Sequence, residues 1–214
     1  MNLCRTLSCS VLLAFLAVAT VTPSMASESE RLVALLSSTS HYKAAFEQQV
    51  LDESGTIIDA YSGDVAISRP GDFRWDTVLP FEQTIILQGG LYYQFDRDVD
   101  QLLIQPVDPT MTALPNLLLG GDSAALADDF DVVYRRESAV GGVERELFTL
   151  TPNAEQPIFT SVQMTFLDGQ LAGIRLSDEF QHDSVFRFTA ISNEPISSDF
   201  YLLDVPADTE ILRQ

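Results

Sequence analysis

From residue 41 onward the chain alternates apolar and polar positions with a period of two. Tyr42, Ala44, Phe46, Gln48 and Val50 share one parity while Glu47 and Gln49 take the other, and Tyr61, Gly63, Val65 and Ile67 repeat the pattern. Side chains of a strand point alternately to its two faces, so each run predicts a strand with one apolar face. Strands are expected over 42–50, 56–69, 73–79, 83–87 and 91–95, then over 131–135, 143–150, 158–167, 171–176, 184–191 and 200–205. Ser54-Gly55, Gly89-Gly90 and Asp168-Gly169 read as hairpin turns between them. The even spacing predicts an antiparallel meander of roughly ten or eleven strands.

Two stretches break the alternation. Leu32, Leu35 and Leu36 follow i, i+3, i+4 spacing, with Glu28 and Glu30 at the favourable N-terminal end, so 28–36 predicts a short helix stopped by Ser37 to Ser40. Between Pro106 and Phe130, Ala113, Leu114, Leu117 and Leu118 follow helical spacing. Gly120-Gly121 suits a helix stop, and Asp122 or Ser123 a cap for a second helix. Short helices are marginal alone in water, so this pair is expected to pack on the open face of the sheet. An ordinary loop insertion over the core is the other reading. The fold class expected is mainly β: a single curved antiparallel sheet forming an incomplete half β-barrel, closed by a short helical lid.

Arg69 is out of place in this pattern. It shares the parity of Val65 and Ile67 at the end of its strand, and Phe73 and Trp75 follow closely. A guanidinium stays charged at ordinary pH, so it must find acceptors or keep contact with water. It is either a solvated strand end resting on its stem, or a charged contact at the mouth of an apolar cavity. The apolar parities place Phe46, Val65, Ile67, Phe73 and Trp75 along that cavity or its rim. Met164 and Phe166 come from a later strand, and Leu114, Leu117 and Leu118 from the lid.

Composition narrows the possibilities. Residues 1–26 carry Arg5, an apolar run over 11–21 and small residues through Ala26, the pattern of a cleaved secretory signal. The remaining 27–214 is expected to be a single domain. Both cysteines, Cys4 and Cys9, lie in the signal, which leaves the domain without a disulfide, a thiolate nucleophile or a lipidation site. The formal charge of −19 becomes −20 once Arg5 is removed, because all 31 carboxylates lie after residue 26. Such a surface argues against nucleic acid or anionic membrane as partner, and suits either solubility in salt or a basic partner.

Catalytic constellations are missing. His41 and His182 belong to no metal-binding spacing, and no GxSxG, GxGxxG or P-loop string occurs. Asp96, Asp98 and Asp100 alternate but lack the glycine and terminal glutamate of a calcium loop, and read as a solvated turn. No metal, cofactor or enzyme activity is therefore expected. A β-sheet with an apolar face, a lid and one misplaced arginine describes a carrier for something apolar.

An ordered set of short strings resembles the periplasmic outer-membrane lipoprotein carrier family, LolA. The set comprises Phe46 and Gln48, Ser54-Gly55, Gly63, the Arg69-Pro70, Phe73 and Trp75 string, Pro80, Gly89-Gly90-Leu91-Tyr92 and Asp96. It continues with Leu117 to Asp122, with Phe148, Leu150 and Pro152, and with Phe200, Leu202 and Pro206. The resemblance implies an incomplete barrel closed by helices, acting as a monomer in the periplasm. It implies a cargo of acylated outer-membrane lipoproteins, received from an inner-membrane ABC lipoprotein-release complex and delivered to the outer-membrane receptor LolB. It maps a lid-latching role onto Arg69 and a position near the transfer rim onto Phe73. A carrier of the same build for another amphiphile, such as a glycolipid, remains compatible with the residues.

Overall fold

The computed structural model describes residues 27–107, 118, 123–138, 142–155 and 157–214. Helix α1 (Glu28–Leu36) opens the described chain. Ser27 caps it: its Oγ accepts from the Glu30 amide at 3.1 Å, while Glu30 reaches back to the Ser27 amide at 2.6 Å. This reciprocal capping box satisfies two donors that would otherwise lack partners. Leu32 and Leu36 turn inward and are fully buried.

Six strands follow: β1 (His41–Leu51), β2 (Ile57–Ser68), β3 (Asp72–Leu79), β4 (Gln83–Gln88), β5 (Leu91–Asp96) and β6 (Gln101–Pro106). Helix α2 (Ser123–Asp129) then leads into β7 (Phe130–Ser138), β8 (Glu144–Pro152), β9 (Ser161–Leu167), β10 (Gln170–Ser177) and β11 (Asp183–Ser192). A 3₁₀ turn at Ser198–Tyr201 and a final strand, β12 (Glu210–Arg213), complete the chain. All strands join one twelve-stranded sheet in the order β12-β6-β5-β4-β3-β2-β1-β11-β10-β9-β8-β7. The two outermost strands, β12 and β7, do not pair, so the sheet stays open.

The main apolar cluster occupies one face. It joins Tyr42, Ala44 and Phe46 of β1 to Val65 and Ile67 of β2, then runs through Phe73 and on to Phe148, Met164 and Phe166. Leu32, Leu36 and Leu118 cover it, so α1 belongs to the lid together with the later helical segment. A smaller cluster lies on the opposite face, where Ala66 and Ile86 bury Tyr201 of the 3₁₀ turn. Close approach fixes Gly63 at the β2–β3 irregularity: a Cβ there would meet the Asp76 carbonyl oxygen at 1.8 Å.

Mainly β, one curved open sheet and a helical lid is the architecture the sequence predicts, with two corrections at its margins. The strand expected over 200–205 is not formed. Phe200 and Tyr201 are adjacent, and both pack on the outer face, which a strand's alternation forbids. Ser197 instead accepts from the Asp199 amide and the chain winds into a 3₁₀ turn. The last strand is β12, parallel to β6, whereas the other pairings among the described residues are antiparallel. The second correction is β6 itself, absent from the predicted set because Leu102, Leu103 and Ile104 do not alternate.

Candidate functional site

Arg69 is the first residue of the tight turn between β2 and β3. Its amide donates to the Ser40 carbonyl at 2.8 Å, which ties the turn to the segment following α1. The guanidinium lies over the apolar face and reaches two parts of the lid. Nη1 donates to the Thr39 carbonyl at 3.0 Å, and Nη2 donates to the Leu118 carbonyl at 2.9 Å. Nε is buried and has no acceptor among the described residues. Burial lowers the Arg69 pKa from its ordinary value, partly opposed by Tyr42, and the group remains a cation. No carboxylate among the described residues compensates it. A charged hydrogen bond contributes roughly 1.5–3 kcal/mol net, and here part of that is offset by desolvation.

Aromatic rings fill the floor beside it. Phe46 packs on Trp75 with centroids 4.1 Å apart, Phe73 stacks on Trp75 at 6.2 Å, and Phe186 and Phe188 meet Trp75 edge-on. Tyr42 lies between Phe188 and the Leu171 carbonyl, to which its hydroxyl donates at 2.8 Å, and burial pushes its pKa up. A second aromatic group, Tyr134, Phe148 and Phe166, sits toward the β7 edge. The cavity beside Arg69, lined by Leu36, Thr39, Tyr42, Phe166 and Leu171, has a volume of about 30 Å³. That is room for about one water molecule and not for an alkyl chain. At this point Leu36 of α1 and Leu118 pack on the apolar face.

Phe46, Val65, Ile67, Phe73, Leu118, Met164 and Phe166 are each at most 2% exposed and belong to the one cluster, with Trp75 partly buried against it. Leu114 and Leu117 lie outside the described residues. Phe73 sits inside the cluster at 1% exposure rather than on an open rim. Its neighbour across the ladder is Ile67, and its ring is covered by Trp75. Sequence reasoning missed Glu146, which is 1% exposed and bound by Arg31 and Tyr134. The signal was present: Glu146, Phe148 and Leu150 share a parity, as do Val65, Ile67 and Arg69. Among the described residues no three His, Cys, Asp or Glu side chains converge as metal ligands do. No helix among them is long and apolar enough to cross a membrane.

An open β-sheet whose apolar face is covered by helices, and whose cover is tied down by a cation on neutral carbonyls, defines a lidded half-barrel of the kind that shelters apolar ligands. Residues 37–203 match the family model described as outer membrane lipoprotein carrier protein LolA, and the chain belongs to that family. A protein of Chromohalobacter salexigens named outer-membrane lipoprotein carrier protein is 33% identical over 186 residues, 86% of each chain. One of the same name from Hahella chejuensis is 30% identical over 186 residues, covering 86% of this chain and 88% of its own. Among solved structures, an uncharacterised conserved protein of Thermus thermophilus superposes with a TM-score of 0.58 at 12% identity. It covers 87% of this chain and 98% of its own, and shares the fold. MucB does so with a TM-score of 0.51 at 13% identity, over 86% of this chain and 65% of that one.

Proposed function

We propose that this protein is a periplasmic carrier of acylated lipoproteins. It takes their acyl chains onto the apolar face beneath the lid and passes them to an outer-membrane receptor. The observation that carries this reading is the Arg69 tie: a cation placed over an apolar floor whose guanidinium, among the described residues, bonds the Thr39 and Leu118 carbonyls. Arg69 is the latch, and the lining is Phe46, Val65, Ile67, Trp75, Met164 and Phe166, with Phe73 in the floor beneath them. Leu114, Leu117 and Leu118 supply the lid side. The donor is an inner-membrane ABC lipoprotein-release complex and the acceptor is LolB. Residues 1–26 are a cleaved export signal, so that Ser27, the cap of α1, becomes the first residue of a monomeric single domain over 27–214. The protein carries out no catalytic step.

Energetics support carriage rather than storage. Burying acyl chain against water is worth roughly 0.8 kcal/mol per CH₂, so the cargo cannot leave into solvent. Against a bilayer or a second apolar cavity the difference is close to zero, and small changes in lid strain set the direction. The test is a fluorescent hydrophobic probe added to protein purified from periplasm. Probe binding that a triacylated lipoprotein displaces is the expected result. No probe binding, with no lipid co-purifying, overturns the reading.

A further inference from the structure

The lid is fastened at a second place by a bond of a different kind. Glu146 is the only buried carboxylate among the described residues. It lies inside β8 next to Phe166 of β9 and beneath α1. Three donors converge on it. Arg31 Nε donates to Oε2 at 3.0 Å, Arg31 Nη2 donates to Oε1 at 2.8 Å, and the Tyr134 hydroxyl donates to Oε2 at 2.8 Å. Arg31 belongs to α1, and the adjacent Leu32 is fully buried in the main cluster.

The two ties respond differently to an opening movement. Arg69 gives its charge to neutral carbonyls and leaves Nε without a partner among the described residues. Losing the Leu118 carbonyl leaves Arg69 its bond to the Thr39 carbonyl. Arg31 meets an opposite charge through two parallel bonds, the stronger and more directional geometry. Losing it would strand a carboxylate beside Phe166 and Phe148, with only Tyr134 to bond it, which is far more costly. Arg69 is therefore the tie that yields and Glu146 the tie that holds.

We propose that Glu146 is a positioning residue for cargo loading, keeping α1 in place as a fixed wall while the site opens elsewhere. Loading breaks the bond from Arg69 to the Leu118 carbonyl. The bond to Thr39, three residues beyond α1, persists because α1 does not move. Cargo then enters between the Leu118 side of the lid and the β2–β3 turn, and Arg69 stays within reach of its lost acceptor for closing again. The proposal rests on the carrier reading above.

Spin labels on cysteines replacing the exposed Ala34 of α1 and Arg135 of β7 test it, since residues 27–214 contain no native cysteine. Protein purified from periplasm is measured empty and after loading with a synthetic triacylated cysteinyl lipopeptide, with bound lipopeptide quantified separately. The expected result is one label distance shared by both states, and, in Glu146→Gln, the same empty distance with a loaded distance shifted by about one helical turn, ~5 Å. Arg31→Gln leaves α1 equally free and serves if Glu146→Gln does not fold. A shift in the unsubstituted background upon loading overturns the proposal, as does an unshifted distance in the loaded variant. Failure to bind lipopeptide at all overturns the carrier reading instead, and the anchor with it.

Discussion

The guanidinium of Arg69 and the carboxylate of Glu146 meet the cost of burial by different means. Arg69 cannot shed its charge and bonds carbonyls of Thr39 and Leu118, whereas Glu146 is matched by Arg31 and Tyr134. Phe73 shows the opposite case, an apolar side chain in the position that best suits it. It is 1% exposed and covered by Trp75, so a charge there must be desolvated and the ring's packing is lost. Phe73→Glu is expected to lose at least about 3 kcal/mol of stability in urea unfolding. An unfolding midpoint equal to that of the parent would show that the ring faces solvent. Nothing in the alternation of β3 separates a floor residue from a rim residue. That depends on how far the neighbouring strands extend and what covers them.

Alternation made most strands legible, because an open sheet with one apolar face imposes a period of two on β1, β8 and β9. It failed at β6, where Leu102, Leu103 and Ile104 run consecutively, and at 198–206, where Phe200 and Tyr201 both pack on the outer face. The C-terminal segment is held there by Tyr201, whose hydroxyl donates to Ser68 Oγ at 2.8 Å, and by Phe200, set between Lys43 and Arg74. Short β12 then covers the edge of β6. Removing 207–214 would expose that edge, and unpaired edges recruit other chains. The truncated protein is expected to keep its strand content by circular dichroism and to self-associate in light scattering; a monomer would contradict this. The β1–β2 hairpin is set by Asp52, whose Oδ1 accepts from the amides of Ser54 and Thr56. Those bonds, with the Ser54 hydroxyl first among them, lower the Asp52 pKa. Its contribution to stability is thus present above the ordinary carboxylate pKa and lost as pH falls through the lowered one. An NMR titration should find the Asp52 midpoint below the usual aspartate range, and in Asp52→Ala this part of the acid dependence should vanish. A midpoint at or above that range would contradict the hairpin's hydrogen bonding.

At the scale of the molecule, a closed empty form and a loaded form must lie close in free energy for cargo to be accepted and surrendered. The cavity beside Arg69 measures about 30 Å³, too small for an acyl chain, so in the proposed cycle loading displaces side chains from the floor. In the proposed cycle the Arg69 bonds to the Thr39 and Leu118 carbonyls favour the closed form and hold cargo affinity low enough for hand-off. Leucine at this position removes those bonds and adds apolar surface to the floor, and both changes favour the loaded form. The decisive measurement is transfer of bound triacylated lipoprotein to the outer-membrane receptor from the parent protein and from Arg69→Leu, with loading assayed in parallel. The variant is expected to load at least as well as the parent and to release cargo at least about tenfold more slowly, the equivalent of one charged hydrogen bond's lower bound. Normal loading with transfer at the parent's rate would show that Arg69 bears no load in the cycle and would contradict the latch.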